Sequence, residues 1–294
     1  MSTIPIVSSA AREQTLKCLD RVPALSPMTT QLLAKLARRD CEVDALTSLV
    51  EKDALLSAQI LKLANSAMFG RARTVVSVHH AIAMLGMGVL RKFTLGSAIS
   101  NIFARRKTAP TFSMTRFNLH SVATATLAEI LCDELPVHNA EHAFVAGLLH
   151  DLGRLLLAVN LPAQFESMLS CHAVSPDIPL WAFEQEFLGI DHAELSGIKA
   201  SHWELGQPIR WAVRYHHEPD LAQDVEGVPA GKVALSLLLN KADTFVNFLN
   251  ISQFPGRLGF EEAPSLDFPG FTYSQERVMA RFEQEWKGLD QLFC

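Results

Sequence analysis

Apolar residues recur at three- and four-residue spacing along almost the whole chain, while the period-two alternation of a half-buried strand is nearly absent. Such a chain has to bury helical stripes against one another, so the pattern predicts an all-α fold. Leu32, Leu33 and Leu36 share one face after Ser26-Pro27, a capping serine before a proline at the first helical position. Val43, Leu46, Leu49 and Val50 form a second face, and Leu55, Leu56, Ile60, Leu61 and Leu63 a third. Asp53 is placed to cap the third helix, and Asn65, Ser66 and Gly70 to end it. Ala81 to Leu85 continue the pattern, and a further helix runs from Val89 to about Phe103. Arg91 and Lys92 interrupt it; such residues usually snorkel to water, and the alternative is a groove for an anion.

Pro110 and several hydroxyl residues break the pattern between 107 and 115, which marks a lobe boundary. Helices are then expected over roughly 116–134, 139–158, 162–171, 179–188, 191–203, 207–217 and 230–250. A Pro- and Gly-rich loop at 254–273 and a last amphipathic helix from Ser274 to Leu289 follow. The expected organisation is two helical lobes, 1–108 and 109–252, with 253–294 packing on the second.

Bulk properties narrow the function. The 294 residues carry 49% hydrophobic residues and a net charge of −5, with a pI near 6.1. This speaks against a dedicated nucleic-acid binder, which shows a basic domain or stripe. Arg105-Arg106-Lys107 is the compact basic run and reads as a solvated hinge. The five cysteines, Cys18, Cys41, Cys132, Cys171 and Cys294, are scattered without zinc spacing, as reduced thiols would be. The N-terminus lacks the pattern of a signal peptide, and no stretch of about 20 uninterrupted apolar residues occurs. The expectation is a cytoplasmic protein that does not cross a membrane.

The chemistry lies in polar residues inside apolar text. His150 and Asp151 are adjacent within the run Glu141 to Leu157, where burying either is costly without a partner or a metal. Adjacent side chains on a helix point about 100° apart, so a His-Asp pair can aim at one point only off the helix edge. His216-His217 poses the same problem. Together with His120, His192 and Asp243 they would surround a pocket with imidazoles and carboxylates. That donor set suits Fe, Mn, Zn or Ni. His79, His80, His138, His142, His172 and His202 show no such order and read as solvated or capping.

The order His120, His150-Asp151, Asp243 resembles the H…HD…D pattern of the HD phosphohydrolase superfamily. The surrounding text is similar to its HDOD branch over roughly residues 16–250. The matching segments are Val22-Pro-Ala-Leu-Ser-Pro27, Leu49-Val-Glu-Lys-Asp53, Leu61-Lys-Leu-Ala-Asn-Ser-Ala-Met-Phe-Gly70 and Ala81-Ile-Ala-Met-Leu-Gly86. Further along they are Phe144-Val-Ala-Gly-Leu-Leu-His-Asp-Leu-Gly153, Leu188-Gly-Ile-Asp-His-Ala-Glu194 and Tyr215-His-His-Glu-Pro219. The resemblance implies an N-terminal HDOD-specific helical bundle packed on an HD-like lobe. Carried over from the related HD-GYP phosphodiesterases that open cyclic di-GMP, it implies one or two transition-metal ions held by His120, His150, Asp151, His192, His216, His217 and Asp243. Asp151 would bridge them.

Two departures qualify that inheritance. Arg154 stands where active HD-GYP enzymes carry a lysine, and no Gly-Tyr-Pro follows His216-His217-Glu218. Arg keeps the charge but not the point-charge geometry. No receiver, GGDEF or EAL segment is recognisable in the 294 residues. The expected function is therefore a stand-alone regulatory module of bacterial signal transduction, without turnover, acting on a protein partner. The alternative is a metal-dependent phosphohydrolase acting on a nucleotide or other phosphoester, with Asp151 and Arg154 as its catalytic residues.

Overall fold

A computed structural model describes residues 9–36, 43–65, 74–104, 106–254 and 263–286. Among these the chain is all-α, and Val137 and Val233 form an isolated parallel bridge. It divides into two compact units, Met1–Ala24 with Arg106–Val278, and Leu25–Arg105 with Met279–Cys294. The break at 105/106 falls beside the stretch whose sequence pattern predicts a boundary. The first 24 residues, expected with the N-terminal lobe, group instead with 106–278. In α1 (Ser9–Leu16), Arg12 donates to Gly189 O at 2.7 Å and to the Glu194 carboxylate. Lys199 Nζ and Trp203 Nε1 donate to the carbonyls of Val22 and Pro23, each at 3.1 Å.

The unit built from 25–105 follows its caps. Ser26 Oγ accepts from Thr29 N at the start of α2 (Pro27–Leu36). Leu46, Leu49 and Val50 of α3 (Val43–Val50) are buried. Asp53 accepts from Leu55 N and Leu56 N at 3.0 Å, capping α4 (Ala54–Ala64) as its position in the sequence predicts. Asn65 ends that helix by clamping a neighbouring strand of backbone: its amide donates to Leu61 O and Val75 O and accepts from Val75 N. Ser66 and Gly70 lie outside the described residues.

After α5 (Val78–Leu85), Gly86 takes φ +78°, a conformation that suits glycine, and reverses the chain into α6 (Met87–Phe103). On α6 the snorkelling expectation is overturned, since Arg91 and Lys92 are 6% and 4% exposed. Lys92 is buried because Glu285 of the same unit forms an ion pair with it.

The unit containing 106–278 is organised around α7 (Met114–Glu134), which packs on α8 (Ala143–Leu149) and on a helix 100 residues further along the chain. The α7–α8 approach is close enough that a Cβ on Gly147 would lie 2.6 Å from Ala125 Cα. Around them stand α9 (Leu152–Asn160), α10 (Pro162–His172), α11 (Leu180–Leu188), α12 (His192–His202), α13 (Gln207–Arg214), α14 (Gln223–Glu226) and α15 (Leu235–Phe248). The last helix, α16 (Gln275–Trp286), passes the division at 278/279. The apolar run 140–160 is long enough to cross a membrane, but 83% of its most apolar stretch is buried in the protein. His172 is also buried, its Nε2–H donating to Ile178 O at 2.8 Å, and is not solvated as its sequence context suggests.

Burial pushes the Glu285 carboxyl up, but the charge and hydrogen bond of Lys92, with Arg281, outweigh it and hold the pKa below the ordinary 4.5. A depressed carboxyl stabilises the fold above its unfolded pKa, and that contribution is lost as pH falls through the folded value. Glu285→Gln is expected to lower stability by about 2 kcal/mol at neutral pH. Denaturant titrations should show the gap between variant and wild type closing as the pH is taken below the lowered pKa.

Candidate functional site

The adjacent pairs escape the 100° problem because the helices stop at them. The sequence pattern predicts one helix over 139–158, yet α8 ends at Leu149 and α9 starts at Leu152, leaving His150 and Asp151 in the break. Likewise α13 ends at Arg214, short of the expected 217, so His216 and His217 follow the helix end. His192 is the first residue of α12, whose cap Asp191 accepts from Glu194 N at 2.7 Å. His120 and Asp243 project from within α7 and α15.

All seven side chains meet in one place. Ligand atoms of three overlapping groups lie within 4.8 Å of one another: Asp151, His192, His216 and His217; His120, His150 and Asp151; and His150, His216 and Asp243. Six of the seven are buried, with His150, His192 and His216 at 0% exposure. The imidazoles are aimed by their outer nitrogens. Nδ1 of His120, His150 and His216 meets the backbone carbonyls of Ile251, Gly147 and Val213 at 2.7–2.8 Å. Nδ1 of His192 meets the Glu184 carboxylate. Each ring thus turns Nε2 to the centre, the orientation that outer partners impose on metal-binding histidines. His217 stacks on Trp181 with ring centroids 5.6 Å apart, and its Nε2 lies 2.9 Å from His192 Nε2.

The charges are set against one another. Burial would raise the carboxyls of Asp151 and Asp243, but Arg154 with His150, His192 and His120 holds Asp151, and His120 with His150 holds Asp243, well below the ordinary range. Glu184 is likewise drawn down, to about 2, by His192 and Arg154. Burial opposes protonation of His120 and His192, and Arg154 adds to this at His192. The carboxylates prevail, lifting His120 to about 10 through Asp151 and Asp243, and His192 to about 9 through Glu184 and Asp151. His216 is pushed down to about 3 by burial, His150 and His192, and His217 is also lowered. The carboxylates of Asp151, Asp243 and Glu184 thus face the raised imidazoles of His120 and His192 and the guanidinium of Arg154.

Two ligand atoms stay unsatisfied. His216 Nε2 is buried without a hydrogen bond, and so is Asp151 Oδ1. His192 Nε2 lies 2.8 Å from that oxygen and 2.9 Å from His217 Nε2. A bare imidazole nitrogen and a bare carboxylate oxygen in one buried group are what a cation would satisfy, so the donor set fits a transition metal. Arg154 also reaches the centre, donating to Asp151 Oδ2 and to Glu184 Oε1, each at 3.0 Å.

Sequence reasoning misses Glu184, which sits on the amphipathic α11 and gives no motif, although it is 0% exposed. It also misses Gln253, whose amide donates to Asp151 Oδ2 from the loop after α15. Asn247 on α15 donates to Asp243 at 2.7 Å, one helical turn away, a spacing that reading for i,i+4 pairs would find. Of the other histidines, His79, His80 and His202 are exposed, and His138 lines a small cavity with Asn139, Trp211 and Glu226.

The sequence profile of the HDOD domain matches residues 22–219. An HDOD domain protein of unknown function from Geobacter sulfurreducens superposes with a TM-score of 0.72 at 22% identity, covering 95% of this chain and 98% of that one. A candidate signal-transduction protein from Marinobacter aquaeolei VT8 gives 0.70 at 19% identity, over 99% and 67%. A candidate phosphohydrolase from Shewanella amazonensis SB2B gives 0.65 at 21% identity, over 99% and 100%. At these identities the likeness is one of fold. The chain spans 38% of the length of a curated relative, an uncharacterised protein of Treponema pallidum (strain Nichols).

Gly153 fixes α9 to the start of α12. Its N–H donates to Ser196 Oγ, which donates in turn to His192 O, each at 2.7 Å, and a Cβ at Gly153 would stand 2.2 Å from that same carbonyl. Gly153→Ala has to separate the two helices that bring Asp151 to His192. It is expected to cost about 3 kcal/mol or more in urea unfolding. Gly88→Ala, where an added Cβ meets nothing within 4 Å, should be neutral or stabilise by about 1 kcal/mol.

Proposed function

The chain belongs to the HDOD domain family, and on that premise we propose that it is a regulatory module of bacterial signal transduction that keeps a transition-metal centre but does not turn over a substrate. The observation that carries the metal half is the pair of buried, unsatisfied ligand atoms, Asp151 Oδ1 and His216 Nε2, amid imidazoles already aimed by outer partners. Fe, Mn, Zn or Ni suits this mixture of nitrogen and carboxylate. His120, His150, Asp151, His192, His216, His217 and Asp243 supply the ligands.

The regulatory half rests on Arg154. Two of its five N–H donors are committed to carboxylates, which anchors the group in place rather than leaving it to follow a substrate phosphate. Here the guanidinium is held between Asp151 and Glu184, and its side chain is 12% exposed. The absence of Gly-Tyr-Pro after Glu218 points the same way. The name of the Marinobacter neighbour, which shares the fold, accords with signalling. The module then acts in the cytoplasm through a protein partner, with a nucleotide or phosphate as the small ligand it would sense.

The second reading is a phosphohydrolase, and the completeness of the donor set favours it. A bound ion would supply Lewis acidity toward a phosphoester. For its part Arg154 would turn the donors that Asp151 and Glu184 leave unused toward the phosphate and neutralise charge on it.

Elemental analysis of protein exposed to Fe, Mn, Zn and Ni decides between these. Wild type should carry transition metal, Asp151→Asn should carry none, and cyclic dinucleotides should survive incubation with the loaded protein. Metal-free wild type removes the centre from the proposal. Hydrolysis that disappears in Asp151→Asn establishes the enzyme.

A further inference from the structure

The two oxygens of Asp151 serve different halves of the cluster. Oδ1 faces His192, whose Nε2 is 2.8 Å away, and belongs with His216 and His217. Oδ2 lies 3.4 Å from both His120 Nε2 and His150 Nε2. On that second side Asp243 Oδ1 stands 3.1 Å from His120 and 3.6 Å from His150.

The protein treats the halves unequally. Among the described residues Asp151 Oδ1, on the His192 side, is left bare, as is Nε2 of His216, which the two halves share. On the His120 side four consecutive residues after α15 close over the donors. Ile251 O meets His120 Nδ1 at 2.8 Å, the Gln253 amide donates to Asp151 Oδ2, and Arg154 Cζ lies 5.9 Å from the centre of the Phe254 ring. The turn that starts this strap is set by Asn250 at φ +62°, and Ser252 Oγ accepts from Phe254 N at 3.2 Å. Gln253 is 5% exposed, and its buried Oε1 has no partner among the described residues. The residue thus keeps its NH2 on Asp151 while its own carbonyl oxygen goes unsatisfied, an arrangement that costs stability.

An amide NH2 on a carboxylate oxygen occupies the lone-pair direction that a cation would take. We infer that Gln253 is an internal competitor for the His120 half, so that the closed protein holds one metal ion, on the His192 side, and admits a second only when the strap 251–254 is displaced. This rests on the metal-binding reading above and adds its regulation: a signal that moves the strap would change metal occupancy from one ion to two.

The test uses Mn(II) on the full chain after chelator treatment, counting bound ions by elemental analysis and recording the electron paramagnetic resonance spectrum. Wild type should hold one ion with the spectrum of an isolated centre. Gln253→Ala should hold two, with the spectrum of a spin-coupled pair. Phe254→Ala, which loosens the strap without touching a ligand, should also gain the second ion, and thermal melting confirms that both variants are folded. One ion in wild type and in both variants overturns the inference alone, as do two ions in wild type. Weaker binding in Gln253→Ala also overturns it, by making the amide oxygen a ligand. No ion in any of them defeats the metal-binding reading itself, and this inference falls with it.

Discussion

The 106–278 unit depends on making Asp151 acceptable as a buried anion. An isolated ionised carboxylate in a medium of low dielectric costs tens of kcal/mol by Born solvation, so it survives only with partners. Asp151 is 1% exposed and has Arg154, Gln253, His120, His150 and His192 around it. It also stands at the N-cap position of α9, where the helix dipole favours negative charge. His192 is in the opposite situation, a protonated imidazole at the first residue of α12, where the dipole disfavours it. Glu184 answers that by meeting both the His192 backbone N–H and its ring.

Convergence of so many polar groups is possible only if the helices carrying them approach closely. Gly147 lets α8 lie against α7 at Ala125, which brings the His120 and His150 rings to a centroid separation of 5.1 Å. Gly153 does the same between α9 and α12. In both places a methyl group would collide with backbone rather than with the end of a flexible side chain. The site is therefore specified as much by what is missing at two positions as by the histidines themselves.

Much of this was legible in the sequence, for identifiable reasons. Helical period and the caps Ser26 and Asp53 are local signals, and the structure follows them. The seven histidine and aspartate positions and Arg154 stood out because polar residues in apolar text need an explanation, and the structure gathers all eight. The helix break at His150-Asp151 was not legible: Leu152, Leu155 and Leu156 continue the apolar period across it, so periodicity reads through. Glu184 and Gln253 were invisible because each acts on a residue far away, 8 positions from His192 and 102 from Asp151. Burial of Lys92 could not be read either, since its partner Glu285 lies 193 residues along the chain.

The charges that already face one another in the cluster bear on what the proposed metal site would do for the chain. In small zinc modules the ligands repel one another or remain unsatisfied until the ion arrives, and the metal drives folding. Here His120 and His192, with their raised pKa values, already act as the counter-charges, and Arg154 completes the set. The unit can fold around its own protons. Occupancy of the proposed metal site would then be separable from folding, and an ion arriving at Asp151 Oδ1 and His216 Nε2 would alter the contacts of a centre that is already built. A site whose occupancy can change while the fold persists is suited to reporting a condition of the cell. A site that unfolds on losing its ion reports only its own loss.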